Sequence, residues 1–496
     1  MYIVTRAGRL AAAGILAAAV TPAALAQSEW VYGPTASIDQ GSRRVSAVPA
    51  VCGGGFVSVG TSTPSGTTNS NVYVVRTTAA GAPIWELQYD IGPGSIDRGE
   101  SIAVLAAGNG FVVAGSTQAA TTAPADAFLM RLNCGGGIVW LNLYASSLAE
   151  GAFDVIEAQS GDAAFGTAAG DLVAAGFATA TAGGDDAMLF RVRNTGALIW
   201  HRRYGVTGAR EHFRALTEAR PIAPALTGDI VAAGSFNNGA ATTAEQGYVA
   251  RVNGNTGLIG AAPQCAAHYG DAATQRFEAV TDLRATSSVV GQLVFGGVTN
   301  STTTSNDLYL LRTQANPCLP LQQRRIGEST TGALGDEWLF GLKEVAVVMP
   351  TPNIAPLGSL ALTGYAGRAA TTVLDNDAFL LVSDPVMLAP IAGSGRLYGD
   401  HGTRQEVGVS VFPHVAGFTI AGWNDADPQG VGDPRDLFLV NADPNGKTSC
   451  EAAWNPPHTV PPFPVTPVAP VTSLFMVATP KAAQITQLGT AFQSCP

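Results

Sequence analysis

Residues 111–144 read FVVAGSTQAATTAPADAFLMRLNCGGGIVWLNLY, and the same pattern recurs along the chain. An apolar run ends in Gly, a polar loop follows, a second apolar run ends in Arg, and a Gly-containing turn leads into Trp-x-x-x-Tyr. The Arg recurs at intervals of 55, 60, 60 and 61 residues, at Arg76, Arg131, Arg191, Arg251 and Arg312. Two weaker copies follow, which gives seven units between about residues 34 and 450, a period typical of repeat architectures.

Each unit predicts four short strands. Runs such as 111–114 and 127–130 are apolar and bounded by Gly, Asn, Asp and Thr, and with 58 Gly, 30 Pro and 13% charged residues a long helical bundle is excluded. One such sheet cannot bury both of its faces, whereas seven arranged radially bury each against its neighbours. We expect an all-β, seven-bladed β-propeller of four-stranded blades over residues 27–450. The sequence WVYG at 30–33 resembles the end of a repeat and should complete the last blade.

The repeat resembles that of bacterial SBBP-type β-propellers, which share their architecture with Kelch and quinoprotein propellers. The likeness covers nearly all of residues 30–450. It implies a propeller scaffold in a secreted or cell-surface protein, and it brings no catalytic residues. The segment NTGALIW, ending at Trp200, is also similar to the tryptophan-docking motif of quinone-dependent dehydrogenases. Seven units instead of eight and the lack of a recognisable quinone site disfavour that function, so we expect no cofactor apart from a candidate calcium ion.

The first 26 residues predict a secretory signal peptide. Arg6 and Arg9 precede an apolar stretch at 10–20 and a small-residue end at 24–26. No later stretch is apolar for long enough to predict a transmembrane helix, so we expect an exported protein in the periplasm, at the cell surface or outside the cell. Without the leader the chain has 25 basic and 37 acidic residues, a net charge of −12. This charge disfavours a nucleic-acid partner, because phosphates bind to cationic surfaces.

The loops that differ between units predict where a ligand binds. Connections between the second and third strands, and those between units, are long and share one face, here called the long-loop face; the other connections form the short-turn face. Charged residues near the starts of the inner strands make the long-loop face the candidate surface for a glycan, protein or peptide: Arg98, Glu100, Arg276, Glu278, Asp336, Glu337, Arg404 and Glu406. A ring of salt bridges between blades is the alternative interpretation.

Enzyme motifs are absent from the sequence, which has no G-x-S-x-G, no H-E-x-x-H and no phosphate loop. His212, flanked by Arg210 and Glu211, is the weak candidate for general acid–base catalysis. The sequence therefore predicts a non-catalytic binding or interaction scaffold at the cell envelope or outside the cell. A carbohydrate-active hydrolase or lyase working in the propeller funnel is the alternative.

One loop resembles a calcium site. The segment DADPQGVGD places Asp425, Asp427, Gln429 and Asp433 at positions 1, 3, 5 and 9 of the loop. Gln429 stands where the loops of integrin-type propellers carry an acid, which removes one charge from the site. A solvated turn is the alternative interpretation.

The blade register also predicts how the six cysteines pair. Cys52 and Cys134 fall in short turns of neighbouring units, and so do Cys265 and Cys318. Cys450 ends the repeat region and Cys495 is the penultimate residue, so we predict disulfides 52–134, 265–318 and 450–495.

Residues 451–496 form a Pro-rich linker and a C-terminal tail. We expect this segment to pack outside the ring, with a strand near 474–477 and no regular structure between about residues 456 and 470.

Overall fold

The computed structural model describes residues 28–32, 37–64, 66–180, 183–219, 228–237, 245–270, 273–285, 288–300, 306–327, 336–367, 376–399, 405–424, 436–448, 451–454, 458–459, 465–467, 471–472, 477–480, 484–488 and 491–495. At positions 28, 37–43 and beyond 451 it describes the backbone alone. The predicted signal peptide at 1–26 lies outside these ranges.

Seven antiparallel sheets form the blades of a ring. The described chain begins with β1 (Ser28–Tyr32). Blade 1 contains β2 (Ser37–Ala47), β3 (Phe56–Pro64), β4 (Asn71–Thr77) and β5 (Pro83–Asp90). Blade 2 contains β6 (Ile96–Val104), β7 (Phe111–Gln118), β8 (Asp126–Leu132) and β9 (Ile138–Ala145). Blade 3 contains β10 (Glu150–Glu157), β11 (Leu172–Thr179), β12 (Asp185–Val192) and β13 (Leu198–Tyr204).

The second half of the ring repeats this arrangement. Blade 4 contains β14 (Arg210–Ala219), β15 (Asp229–Asn237), β16 (Gln246–Val252) and β17 (Cys265–Tyr269). Blade 5 contains β18 (Gln275–Asp282), β19 (Leu293–Thr299), β20 (Asp307–Thr313) and β21 (Pro320–Ile326). Blade 6 contains β22 (Glu337–Glu344), β23 (Leu360–Gly367), β24 (Asn376–Ser383) and β25 (Gly395–Tyr398). Blade 7 contains β26 (Glu406–His414), β27 (Gly417–Asn424) and β28 (Asp436–Ala442). Two single-turn 3₁₀ helices, Ala50–Cys52 and Ala163–Phe165, lie in short turns.

The N-terminal strand is the fourth strand of blade 7. β1 pairs with β28 and places Trp30 opposite Leu439. On the other side of the ring junction, β2 of blade 1 contacts β26 and β27. The two ends of the repeat region therefore meet within one sheet, and the ring opens only if that sheet breaks. The all-β, seven-bladed propeller expected from the repeats is confirmed.

The core consists of seven apolar clusters, one at each junction between neighbouring blades. Val59 and Val74 of blade 1, for example, pack with Val113 and Met130 of blade 2. The repeated apolar runs thus bury each blade against the next, because burial of apolar area is the main favourable term in folding.

The recurring Tyr and Trp of the outer strands join each blade to the next. The Tyr89 hydroxyl donates to the carbonyl of Gly136 over 2.7 Å, and the Trp85 indole donates to the carbonyl of Cys134 over 3.2 Å. The same contacts from a Tyr hydroxyl occur at five further junctions, from Tyr32, Tyr144, Tyr204, Tyr269 and Tyr398. At the junction of blades 5 and 6 the Tyr position holds Ile326, and the Arg324 guanidinium donates to the carbonyl of Met387 instead, over 2.8 Å.

Two predicted disulfides are confirmed. Cys52 is bonded to Cys134 and Cys265 to Cys318, which ties blade 1 to blade 2 and blade 4 to blade 5 on the short-turn face. Cys450 lies outside the described residues, so the 450–495 pair stays a prediction.

The tail encircles the ring and adds a fifth strand to the outer edge of every blade. It runs once around in the reverse order of the blades. We call this segment the belt; its strands are β29 (Ala452–Trp454) on blade 6, β30 (His458–Thr459) on blade 5, β31 (Val465–Pro467) on blade 4, β32 (Val471–Thr472) on blade 3, β33 (Val477–Pro480) on blade 2, β34 (Gln484–Leu488) on blade 1 and β35 (Ala491–Cys495) on blade 7.

The belt corrects one expectation about the tail, because β30 and β31 lie in the segment expected to lack regular structure. Of the strand expected near 474–477, residues 474–476 lie outside the described ranges, and the described strand begins at Val477. Proline is compatible with these strands because an outermost strand needs to hydrogen-bond on one side only. The belt also replaces the edge of each blade with a strand of two to five residues, and short edge strands are poor templates for pairing with other chains.

Candidate functional site

The inner strand of every blade has an irregularity in its pairing with the second strand, and in blades 2 to 7 it is a bulge that leaves one residue out of the ladder. In blade 1 the register shifts at residues 41–43. In blades 2 to 7 the unpaired residues line a channel at the centre of the ring; they are Glu100, Phe153, Arg214, Glu278, Phe340 and Val409. A bulge leaves its residue unpaired and redirects the side chain. The positions that differ most between blades therefore face the axis of the ring.

The Gly that ends the second-strand run in each repeat makes room for the bulge. A Cβ on Gly234 would lie 1.8 Å from the carbonyl oxygen of His212, and one on Gly364 would lie 1.6 Å from that of Trp338. Side chains do not tolerate such approaches, so only Gly fits beneath the bulged strand. The recurring Gly of the sequence thus shapes the channel wall.

The channel has a volume of about 310 Å³, which suits a small ligand. Asp154 ties four blades together at its wall. Its carboxylate lies 2.8 Å from the Arg44 guanidinium and accepts from the Ser101 hydroxyl over 2.7 Å and from the backbone N–H of Leu216 over 2.8 Å. A carboxylate bonded on every side in this way fixes the wall.

Lys343 differs from the other cations of the channel. It projects from β22 of blade 6 into channel solvent, and within the described part of the chain its amine has no hydrogen-bond or ion-pair partner. By contrast, Arg44 pairs with Asp154, and Arg214 lies 3.8 Å from Glu278. Enclosure by protein lowers the pKa of Lys343 to about 8; Arg44 contributes to the lowering and Asp154 opposes it.

An aromatic cluster, here called the Trp338 patch, lies toward the long-loop face at the junction of blades 5 and 6. Trp338 stacks with Phe340 at 5.7 Å and with Tyr365 at 6.3 Å between ring centroids. The Arg276 guanidinium lies 4.6 Å from the Trp338 ring centre and is ion-paired with Glu278. Because Phe340 and Glu278 also line the channel, the patch is continuous with it.

A second cluster, the His212 patch, lies at the junction of blades 3 and 4. The His212 ring lies 5.1 Å from that of Phe177 and 5.9 Å from that of Phe153. Its Nε2 lies 3.2 Å from the Asp185 carboxylate, and the hydrogen bond from His212 lowers the pKa of Asp185. The Arg214 guanidinium lies 5.4 Å from the Phe153 ring centre.

The three catalytic candidates do not converge. Arg210 is exposed, whereas Glu211 is fully buried and accepts from the backbone N–H of Val206 over 3.0 Å. Burial raises the pKa of Glu211 to about 8. Neighbouring residues on a strand face opposite sides of the sheet, so Glu211 points away from His212.

The other predicted binding residues fall into three groups. Arg98 is exposed, and Glu100 lines the channel although its side chain is buried. Glu337 and Glu406 are buried at the position equivalent to Glu211, and an Asp336 oxygen accepts from the backbone N–H of Asn306 over 2.7 Å. Arg276 and Glu278 form the ion pair of the Trp338 patch; Arg404 lies outside the described residues, as do Asp425, Asp427, Gln429 and Asp433 of the candidate calcium loop.

The sequence reasoning missed Asp154, Lys343 and the Trp338 patch. A signal for them exists, because they stand on inner strands next to positions where the repeats diverge. The bulge cannot be recognised in the sequence. It shifts the alternation of side chains by one residue, so residues that a regular strand would bury between blades face the axis instead.

The short-turn face is apolar. Of the fourteen exposed large hydrophobic side chains in the described ranges, thirteen lie in short turns or at the start of the outer strand that follows: Val51, Ile84, Val139, Phe165, Leu258, Val290, Leu319, Leu321, Val348, Leu357, Val386, Met387 and Val415. Every blade contributes to this set, and the exposed charged residues beside it are the cations Arg193 and Lys447. Large apolar patches on a protein surface mark interaction sites.

Within the described ranges, no helix is long and apolar enough to cross a membrane. The same ranges contain no group of three or more His, Cys, Asp or Glu side chains suited to a metal ion.

Comparisons with known proteins are limited to the fold. No protein-family model matches the chain, and no curated protein matches it, so the likeness to SBBP-type repeats remains a resemblance. Among solved structures, the Dos1 propeller is 10% identical with a TM-score of 0.39 and covers 84% of this chain and 96% of its own. Sqt1 from Chaetomium thermophilum is 10% identical with a TM-score of 0.40 and covers 84% of this chain and 99% of its own.

Proposed function

We propose that the protein is an exported, non-catalytic binding scaffold whose ligand enters the channel from the long-loop face. The observation that carries the proposal is the pair of aromatic and charged clusters, the Trp338 patch and the His212 patch, toward that end of the channel. Each cluster occurs at a single blade junction and is not repeated around the ring. A site that binds one ligand per ring needs residues of this kind. Trp, Tyr and Arg side chains are the types that dominate binding energy at recognition sites.

A glycan suits the Trp338 patch best. Flat aromatic rings pack against the apolar faces of sugar rings, and the neighbouring Arg276 and Glu278 can hydrogen-bond to hydroxyl groups. A peptide is the other ligand class that such a patch would bind.

Binding without turnover is supported by the placement of the acid–base candidates. The His212 ring packs against two Phe rings and its Nε2 lies 3.2 Å from the Asp185 carboxylate, while Glu211 faces the interior of the sheet. A hydrolase or lyase needs an acid and a base that both reach the reacting bond. These two residues do not meet that condition.

Export is supported by the leader sequence and by the disulfides. The Cys52–Cys134 and Cys265–Cys318 bonds are of a kind that forms in oxidising compartments. A position at the cell envelope or in the medium fits both features.

The test is a glycan and peptide array with the purified mature protein, followed by product analysis of each hit. Trp338→Ala should weaken binding at least tenfold. Phe165→Ala is the matched control, because this ring is 54% exposed on the opposite face and should leave binding unchanged. Cleaved products would refute the proposal that the protein is non-catalytic. Equal binding by Trp338→Ala and the wild type would refute the assignment of the binding site to the Trp338 patch.

A second candidate function rests on the apolar short-turn face. Val51 and Val348 are 76% and 73% exposed in turns of different blades, and the cations Arg193 and Lys447 lie on the same face. Apolar tips beside basic side chains fit an anionic lipid surface. Cosedimentation with phosphatidylglycerol vesicles should therefore fall for a Val51→Ser, Val348→Ser variant and stay unchanged for Val206→Ser, whose side chain is exposed on the long-loop face. Equal sedimentation of both variants would exclude this function.

A further inference from the structure

We propose that Lys343 binds the carboxylate of a sugar acid that lodges in the central channel. The proposal rests on the proposed function, since it identifies the ligand class of the same channel. A uronic acid, free or at the end of a glycan, combines the carboxylate with the ring that the Trp338 patch accepts.

The first step is charge compensation in the channel wall. The Arg44 charge is met by Asp154, and the Arg214 guanidinium lies 3.8 Å from Glu278, while the Lys343 amine has no such partner in the described ranges. The Lys343 side chain is exposed to the channel, so its ammonium group can accept an anionic ligand without first breaking an ion pair within the protein.

The second step is reach. Lys343 follows Phe340 by three residues on β22, which places it roughly 10 Å further along the strand toward the short-turn face. A ligand that stacks on the Trp338 patch and extends past Phe340 therefore points its far end at Lys343. Ser46 and Thr217 occupy the same register position as Lys343 in blades 1 and 4, and they line the channel with hydroxyl groups that suit a sugar.

The third step is the choice of anion. Five carboxylates line the channel with Lys343, on Glu100, Asp154, Glu157, Glu218 and Glu278. They repel a multiply charged anion such as phosphate more strongly than a monoanion. A single carboxylate matches the one uncompensated ammonium group.

Calorimetry with glucuronate, glucose and inorganic phosphate tests the proposal on the full mature protein. At pH 7 glucuronate should bind, while glucose should bind at least tenfold more weakly and phosphate should not bind. Lys343→Met should reduce glucuronate affinity at least tenfold. Lys447→Met, which removes an exposed lysine on the short-turn face outside the channel, should leave the affinity unchanged.

The pH profile gives a second readout. Glucuronate affinity should fall between pH 7 and pH 9.5 in the wild type, because the amine loses its proton over this range, and should stay flat in the Lys343 variant. The other charged groups that line the channel are carboxylates and guanidinium groups: Arg44, Glu100, Asp154, Glu157, Arg214, Glu218 and Glu278. A fall in affinity that the Lys343 variant shares would come from one of these groups and would overturn the role of the amine.

The outcomes separate this proposal from the proposed function. Undiminished glucuronate binding by Lys343→Met, or no glucuronate binding by the wild type, overturns the role of Lys343 even if the glycan array finds a neutral ligand. Phosphate binding as tight as that of glucuronate overturns the sugar-acid assignment. Thermal melting serves as the control for folding: Lys343→Met should melt close to the wild-type temperature, because the side chain is exposed and has no partner within the described ranges.

Discussion

Glu29 lies opposite Cys495 in the last blade, so the first and the last strands of the described chain are hydrogen-bonded neighbours. β1 is held between β28 on one side and β35 on the other. The Glu29 side chain also accepts a hydrogen bond from the Thr448 hydroxyl over 2.9 Å. Thr448, two residues before Cys450 in the sequence, is thus bonded to a residue of β1, the strand that pairs with the one containing Cys495.

We therefore expect a disulfide between Cys450 and Cys495 that closes the belt into a loop. Non-reducing peptide mapping of the mature protein should recover this pair together with 52–134 and 265–318. Free thiols at positions 450 and 495, with the other two disulfides intact, would contradict the prediction.

Deletion of residues 452–496 should destabilise the propeller. It removes the hydrogen bonds of seven edge pairings, each worth about 1 kcal/mol net, although the ordering entropy of the tail offsets part of this. We expect the melting temperature to fall by several degrees and the exposed edges to promote aggregation, measured by calorimetry and light scattering. The control is Cys450→Ser, Cys495→Ser, which keeps the belt and should remain monodisperse. Unchanged melting of the deletion variant would show that the belt adds nothing to stability.

Gly234→Ala should cost more than about 2 kcal/mol of folding free energy and should disturb the His212 patch. The new Cβ would lie 1.8 Å from the carbonyl oxygen of His212, so the bulge of β14 has to move. Gly135→Ala is the matched control, since its Cβ would meet only the Asn133 side chain at 3.4 Å. Denaturant unfolding measures both, and equal free energies of unfolding would refute the link between the repeat Gly and the channel.

The repeat spacing was sufficient to predict the blade number and the closing strand, because each depends on a local pattern that recurs. The channel was harder. A bulge in β22 changes which side chains face the axis, and the register shift at Phe340 is visible only once β23 lies beside it. The belt could not be predicted either. Its strands have two to five residues, two of them contain Pro, and such strands have no periodicity of their own and form only against an existing edge.

Burial of Glu211 predicts a pH dependence that Glu211→Gln should remove. Burial raises the pKa of Glu211 from its ordinary value of 4.5 to about 8, so the folded state holds a proton that the unfolded state releases above pH 4.5. The contribution of Glu211 to the free energy of unfolding is therefore greatest below pH 4.5 and is lost as the pH rises from 4.5 to about 8.

A neutral Gln at position 211 can still accept a hydrogen bond from the backbone N–H of Val206, and blade 5 already has a fully buried Gln275 at the equivalent position. Denaturant unfolding across pH 4 to 9 should therefore show a flatter profile and a higher stability at pH 8 for Glu211→Gln than for the wild type. Parallel profiles for the two proteins would mean that Glu211 is ionised in the folded state and that its burial is compensated in another way.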